Sequence, residues 1–335
     1  MTSSVRIPVV VLGANSFSGQ DFVDLLLDDP RYDVIGVSRS VERSDLFLRY
    51  KLREELPRYR YFQCDLNHDL PALLELLDSF RPSRIINFAA QSEVGPSWDY
   101  PEHWFQTNTV ALAALIKHLQ KRDYLERYLH ISSPEVYGTC VGRVTEDSPV
   151  APSTPYAASK AAADLLLATY RKEFGFPLLS VRSTNVYGAR QQLFKIIPRS
   201  VIYLKLGRKI ELHGGGHAVK SFVHIRDISR GELAILERGR LGSLYHLSPD
   251  SGVAVRDVVE SICKRMGRSF DEATQSIAER PGQDAAYVID STRARTELGW
   301  LPQISLENGL SEVVGWVENH WERIQREPLE YKHKV

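Results

Sequence analysis

The stretch Val9-Val10-Val11-Leu12-Gly13-Ala14-Asn15-Ser16-Phe17-Ser18-Gly19 decides the fold. An apolar run without polar alternation reads as a strand covered on both faces, as in parallel sheets. It gives way to small residues and then to Phe22, Leu25 and Leu26 at helical spacing. Strand, glycine-bearing turn and helix in that order form the phosphate end of a dinucleotide fold. The turn must be tight, backbone N–H groups must reach a pyrophosphate, and the helix start must face it. Gly13 and Gly19 are the first and third glycines of that turn, and Ser16 stands at the middle one. Gly13, Asn15, Ser16, Phe17, Ser18 and Gly19 are therefore the first cofactor-binding candidates.

Outward from this unit the rhythm repeats. Apolar runs at 8–12, 34–37, 61–63, 84–88, 128–131 and 178–182 read as six strands. Between them lie helical patterns such as Leu70, Leu73, Leu74 and Leu77, then Ala111, Leu112, Leu115 and Leu119. Alternating strands and helices give an α/β fold, a doubly wound parallel Rossmann sheet. After Tyr187 longer helical stretches at 225–237, 255–266 and 306–325 are separated by turns at Gly214-Gly215-Gly216 and Pro281-Gly282. The expected organisation is a dinucleotide-binding domain over 1–187 that carries the catalytic residues. A smaller C-terminal α/β substrate-binding lobe over 188–335 follows, with strand exchange between the two allowed. Ligands of open parallel sheets bind outside the carboxyl ends of the strands, so the chemistry belongs in the cleft between the lobes.

Composition narrows the partners. The 335 residues hold 42 Lys and Arg against 42 Asp and Glu, a formal net charge of zero, with 43% apolar residues. Nucleic-acid and anionic-membrane surfaces accumulate Lys and Arg over a whole domain, so neither partner is expected. Cys64, Cys140 and Cys263 are odd in number and far apart, which argues against a disulfide framework or a zinc site. No metal is expected. No apolar run approaches the roughly 18 residues of a membrane span, and the expected location is the cytoplasm.

The second strand ends Val37-Ser38-Arg39-Ser40, where a protein preferring NAD usually carries an acidic residue for the adenosine ribose. Ser38 and Arg39 suit a 2′-phosphate, which favours NADP over NAD; the plainer alternative is a loop solvated by Arg39, Arg43 and Arg49. Asp65, after the third strand, is a candidate for the adenine or a helix-start cap beside Asn67 and Asp69. Tyr156-Ala157-Ala158-Ser159-Lys160 puts a phenol and an ammonium on one face of the helix that begins after Pro155. The ammonium favours phenolate and can hold a nicotinamide ribose, which makes Tyr156 a proton acceptor. The preceding strand closes with Ser133-Pro134-Glu135-Val136-Tyr137-Gly138.

With these residues in place the chain resembles, over essentially its whole length, the extended short-chain dehydrogenase/reductase family of nucleotide-sugar-modifying enzymes. The matching segments are Gly13 to Gly19, Asn87-Phe88-Ala89-Ala90-Gln91-Ser92, Ser133 to Gly138, Tyr156 to Lys160, Arg182-Ser183-Thr184-Asn185-Val186-Tyr187-Gly188, Arg280-Pro281-Gly282 and Leu298-Gly299-Trp300. Within the family the pattern looks most like the sugar-nucleotide 4,6-dehydratases, with the GDP-mannose branch nearest.

The resemblance implies that Leu66, Ala89, Ala90 and Gln91 also hold the dinucleotide. It implies that Tyr156, helped by Ser133, takes the proton of the sugar 4-hydroxyl while hydride leaves C4. Glu135 then removes the C5 proton, water leaves from C6, and the hydride returns to C6 to give a 4-keto-6-deoxy sugar. Simple 4-epimerases generally lack the Glu. Related decarboxylases carry it, and Arg190 is the candidate cation for their substrate carboxylate. Two departures stand out: Pro134 replaces the Asp that protonates the C6 hydroxyl in thymidine-linked dehydratases, and Glu93 replaces a frequent His. Either Glu135 acts as both base and acid, or Glu93 supplies a proton or alters sugar selection.

The partner implied is a nucleotide-diphosphate sugar, met by Ser92, Glu93, Asn185, Lys195, Lys220 and Arg280. The His213 to His217 segment reads as a turn, since three glycines separate its histidines. The helix 104–120 and the Tyr156 helix present faces that fit either a dimer interface or an internal core; a homodimer or homotetramer is expected. A decarboxylase, a 4-epimerase, another dehydratase, and a nucleotide-binding regulator on the same fold are the competing readings, and the intact Ser133, Tyr156 and Lys160 set speaks against the last.

Overall fold

The computed structural model describes residues 6–140, 142–279, 282 and 286–334. The apolar run at the N-terminus forms β1 (Ile7–Leu12), in which Val9, Val10 and Val11 are fully buried. Side chains covered on both faces of a sheet leave no room for polar alternation, which is why the run is uniform. Helix α1 (Phe17–Leu27) leads to β2 (Tyr32–Ser38) and β3 (Tyr59–Gln63). Then come α2 (Leu70–Phe80), β4 (Arg84–Asn87), α3 (Pro101–Phe105), α4 (Leu112–Leu119), β5 (Arg127–Ile131), α5 (Pro155–Phe174) and β6 (Leu178–Ser183).

Beyond these lie β7 (Asn185–Tyr187), α6 (Ile196–Leu206), β8 (Ile210–His213), β9 (Val219–Lys220), β10 (Phe222–His224), α7 (Ile225–Arg238), β11 (Leu244–Leu247) and α8 (Val255–Arg265). The main sheet has seven parallel strands in the order β11-β6-β5-β4-β1-β2-β3. The strand order reverses between β1 and β4, so a crevice opens at their carboxyl ends. One face is covered by α1 and α7 through Phe22, Leu26, Ile228 and Ile235, the other by α2, α4 and α5 through Leu73, Leu77, Leu115 and Leu167.

The seventh strand was not among the six expected. β11 is four residues, Leu-Tyr-His-Leu, and its His246 interrupts the apolar pattern. That imidazole is fully buried, with Nε2 hydrogen-bonded to the Tyr137 hydroxyl at 2.8 Å and Nδ1 to the Asp290 carbonyl at 2.9 Å. Residues 225–247 thus join the main sheet although they follow Tyr187. The helix expected over 104–120 is three pieces, α3, a π-helical stretch Gln106–Ala111 and α4. Such π stretches re-aim side chains, and here Asn108 is turned inward. A second core, around Tyr187, Ile197, Val201, Val258, Ile262, Val313 and Trp316, belongs to α6, α8 and the helix Leu306–Asn319.

Candidate active site

The turn after β1 is shaped by what its glycines leave out. Gly13 has φ +85°, and a Cβ there would sit 2.7 Å from the Ala89 nitrogen. A Cβ on Gly19 would lie 2.3 Å from the Gly13 carbonyl oxygen. Both glycines are therefore required by close backbone approach. Ser16 sits at φ −73°, which any residue adopts, and its hydroxyl accepts from the Gly19 N–H at 3.0 Å as the cap of α1. That explains why the middle glycine can be replaced: its place calls for a cap. The cradle and the N-terminus of α1 fit a dinucleotide pyrophosphate.

The loops after β2, β3 and β4, expected to meet the adenosine half, are tied by short links. Ser38 Oγ accepts from the Asn15 N–H at 2.9 Å, and Asn15 Nδ2 donates to the Tyr61 hydroxyl at 2.8 Å and the Val41 carbonyl at 2.9 Å. The Asn15 side chain thus staples the loop after β2. Arg39 Nη1 donates to the Lys334 carbonyl at 3.3 Å. Asp65 Oδ1 accepts from the Asn67 N–H at 2.9 Å, and Leu66 packs half-buried beside α2. After β4, Ala89 N–H donates to Asn87 Oδ1 at 3.0 Å, and Gln91 Nε2 donates to the Lys334 carbonyl at 2.6 Å.

A cleft of about 860 Å³ runs from this loop into the second lobe, within the range of small-molecule sites. Ser16, Phe17, Ser18 and Ala90 line its nucleotide end; Ser133, Glu135, Tyr156 and Lys160 its middle; Ser92, Glu93, Asn185, Lys195 and Lys220 its far end. Arg280 lies outside the described residues. Arg190 does not line the cleft, and its buried Nε has no hydrogen-bond partner, so the cation expected for a substrate carboxylate is not presented there. Arg199, on α6, does line it.

Local structure explains where the candidate catalytic residues fall. Thr154 caps α5, accepting from the Ala157 N–H at 3.1 Å, and Pro155 fills the first turn where no N–H is needed. Tyr156 and Lys160 then fall on the face turned to β5. Ser133 starts the 3-10 turn Pro134–Tyr137, its Oγ accepting from the Glu135 N–H at 3.3 Å, which points Glu135 into the cleft. Lys160 Nζ donates to the Ile131 carbonyl at 2.7 Å.

Burial holds the Tyr156 phenol above its ordinary value, the Glu135 charge adds to this, and a hydrogen bond with Ser133 opposes it. Burial pushes Lys160 down to about 8. Burial and the Glu135 charge thus work against the phenolate expected from the Tyr and Lys spacing alone.

Asn108 was not foreseen. It is 3% exposed, and its amide clamps both backbone groups of Gln91, at 2.8 and 3.0 Å, and the Ser159 hydroxyl at 2.9 Å. It ties the strand-end loop of β4 to α5, and its signal lay in the π stretch, which spacing does not reveal. Lys195 and Glu93 meet each other, Nζ to Oε1 at 2.8 Å.

A Rossmann cradle beside a Ser, Tyr and Lys set, opening on a cation-bearing second lobe, defines an NAD(P)-dependent oxidoreductase-type site of the extended short-chain dehydrogenase/reductase class. The chain belongs to the GDP-mannose 4,6-dehydratase family, whose family model matches residues 10–313, and with it to the nucleotide-sugar 4,6-dehydratases. It is 31% identical over 328 residues to the dTDP-glucose 4,6-dehydratase of Streptomyces niveus, covering 96% of this chain and 95% of that one. The dTDP-glucose 4,6-dehydratase of Streptomyces venezuelae, solved with NAD bound, superposes with a TM-score of 0.89 at 30% identity, covering 97% of this chain and 100% of that one. A UDP-glucuronic acid 4-epimerase of Bacillus cereus, solved with UDP-glucuronic acid and NAD, gives a TM-score of 0.85 at 25% identity, covering 93% and 99%.

Proposed function

We propose that this chain converts a nucleotide-diphosphate hexose to its 4-keto-6-deoxy form, with Tyr156, Ser133, Lys160 and Glu135 as the catalytic residues. The observation that carries the reading is Glu135 beside Tyr156 in one cleft. Epimerisation needs no carboxylate there. Ser16, Phe17, Ser18 and Ala90, at one end of the cleft, would hold the dinucleotide, which would supply a hydride acceptor for C4 and a donor for C6.

Ser133 and Tyr156 hold the 4-hydroxyl, and Tyr156 accepts its proton as the ketone forms. Lys160 binds the ribose hydroxyls and faces Tyr156 with its charge. The ketone acidifies C5, and Glu135 removes that proton. Pro134 has no proton to give, and Glu93 is paired with Lys195. Glu135 therefore also delivers a proton to the departing C6 hydroxyl, acting as base and then acid. Asn185, Lys195 and Lys220 meet the diphosphate, with Arg280 as a fourth group, and Glu93 orients Lys195 toward it.

The dinucleotide we infer is NADP. What supports this is Arg39 beside Ser40 at the end of β2 and the lack of an acid there; the solved relatives carry NAD. Titrating both dinucleotides decides it: NADP binds more tightly on this reading, and tighter NAD binding would reverse it. A homodimer or homotetramer is inferred from exposed apolar side chains on the α3 to α5 face, Phe105, Val110 and Leu165. The cytoplasm is the inferred compartment, in keeping with three buried cysteines that remain free thiols.

The test is to incubate the protein with GDP-, UDP-, dTDP- and CDP-sugars and follow product mass. Loss of one water is expected. Loss of carbon dioxide, or no change of mass with an inverted C4, would replace the reading.

A further inference from the structure

Residues 329–334 cross from the second lobe to the loops after β2 and β4. Leu329 packs on the second core, Glu330 Oε1 accepts from the Tyr203 hydroxyl of α6 at 3.0 Å, and the Tyr331 ring meets Phe194 edge-on at 5.5 Å. At the other side the Lys334 carbonyl accepts from Gln91 Nε2 at 2.6 Å and from Arg39 Nη1 at 3.3 Å. Between these anchors Glu330 and Tyr331 line the same cleft as Ser16, Ala90 and Tyr156. The segment therefore spans the two lobes along the wall of the cleft.

His333 fastens it. Its ring stacks on Tyr100 at 4.7 Å and 4° and on Trp104 of α3 at 5.2 Å and 8°. Its Nε2 is hydrogen-bonded with His103 Nδ1 at 2.8 Å, and its Nδ1 with the Tyr331 hydroxyl at 3.1 Å. Residues 331–334 are in neither helix nor strand. A segment of that kind keeps its place only where it is tied down, and it opens more readily than the core beneath it. The two groups that meet the Lys334 carbonyl, Gln91 and Arg39, are ones expected at the dinucleotide. A guanidinium carries five N–H donors and a side-chain amide two, so one carbonyl does not use them up. The geometry fits a cover laid over a ligand better than a plug that takes its place.

We propose that residues 329–334 are a strap over the dinucleotide end of the cleft, latched by His333 on Tyr100 and Trp104, which lifts to let the dinucleotide in or out and is otherwise closed. The proposal rests on the reading of the Gly13 to Gly19 turn as the dinucleotide cradle. It also suits the proposed reaction, in which hydride returns to the sugar and the dinucleotide has no need to leave between turnovers. A latch on the protein, with few contacts to the ligand, slows entry and exit alike and leaves the equilibrium nearly unmoved.

Stopped-flow fluorescence of NADPH and NADH with the full-length protein measures both rate constants. In His333→Ala, association and dissociation both rise about tenfold, as expected when an aromatic stack is lost, while Kd stays within about threefold of native. His333→Phe keeps the stack and recovers most of the difference. A rise in dissociation alone marks lost support of the site, a rise in association alone marks a segment that competes with the dinucleotide, and unchanged rates mark an idle one; each overturns the proposal. The His333 ring protons, identified by their disappearance in His333→Ala, give a readout that needs no dinucleotide. Stacking holds them upfield in the free protein, and they stay there when the dinucleotide is added. Unstacked positions beside tight dinucleotide binding overturn the strap alone. A stacked His333 in a protein that binds neither dinucleotide ends the cradle reading, and the strap's role with it.

Discussion

Glu232 offers a prediction worked from its burial and its charged neighbours. It lies on α7 against α1, the helix that follows the Gly13 to Gly19 turn, and is 1% exposed with Oε2 unpartnered. Its surroundings are crowded with charge: Arg226 Nη2 binds Asp24 at 2.6 Å and Asp21 at 3.1 Å, and Ser229 Oγ donates to Asp21 at 2.7 Å. Arg226 is already shared between two carboxylates, so burial, with the Asp21 charge, raises the Glu232 carboxyl well above its ordinary range. The folded chain keeps a proton that the unfolded chain releases near pH ~4.3. Stability therefore falls as pH rises from the unfolded value toward the folded one, at about 1.4 kcal/mol per pH unit. Glu232→Gln has nothing to release. Between pH 5 and pH 7 it should gain on the native chain as pH rises, by up to about 1.4 kcal/mol per pH unit, the gain levelling off only above the folded value. Urea unfolding of both proteins across that interval measures the difference directly. A difference that stays flat with pH would refute the neutral carboxylic acid, and with it the account of how α1 is seated on α7.

Two other outcomes follow from the site. Glu135→Gln should lower dehydration by about 10² to 10⁴-fold, the usual contribution of a general base, while C4 oxidation, seen as reduced cofactor at 340 nm, persists. The Glu135 charge opposes Tyr156 ionisation, so its removal does not hinder that first step; unchanged turnover would discard Glu135 as the base. Gly13→Ala must force a Cβ to 2.7 Å from the Ala89 nitrogen at a positive φ. Strain of about 1 to 2 kcal/mol plus displacement of the Ala89 loop should weaken dinucleotide binding at least ~10-fold by titration, and native affinity would contradict the cradle.

How much of this was legible in the sequence varies with range. The apolar runs of β1, β2 and β4 and the Gly13 to Gly19 turn declared themselves because strands buried on both faces are largely apolar, and because close backbone approach admits only glycine. β11 hid behind His246, whose burial is satisfied by Tyr137 and the Asp290 carbonyl, distant in sequence. Asn108 was missed because a π stretch, not helical spacing, turns it inward. The Glu93 and Lys195 pair joins residues 102 positions apart. The family resemblance made each a separate substrate contact. The Tyr156 and Lys160 motif was visible, but its ionisation was not, since burial and Glu135 set it. The carboxyl-terminal segment was assigned to the substrate-binding lobe, yet its Lys334 carbonyl meets Gln91 and Arg39, and its His333 stacks between Tyr100 and Trp104.

The central claim is that one cleft performs an internal oxidation and reduction with elimination between them. It is tested most directly with a sugar nucleotide that carries deuterium at C4, turned over in ordinary water and read by NMR of the product. The label should appear at C6 of the 4-keto-6-deoxy sugar, with solvent hydrogen at C5. Label still at C4, or lost from the product altogether, would contradict the account.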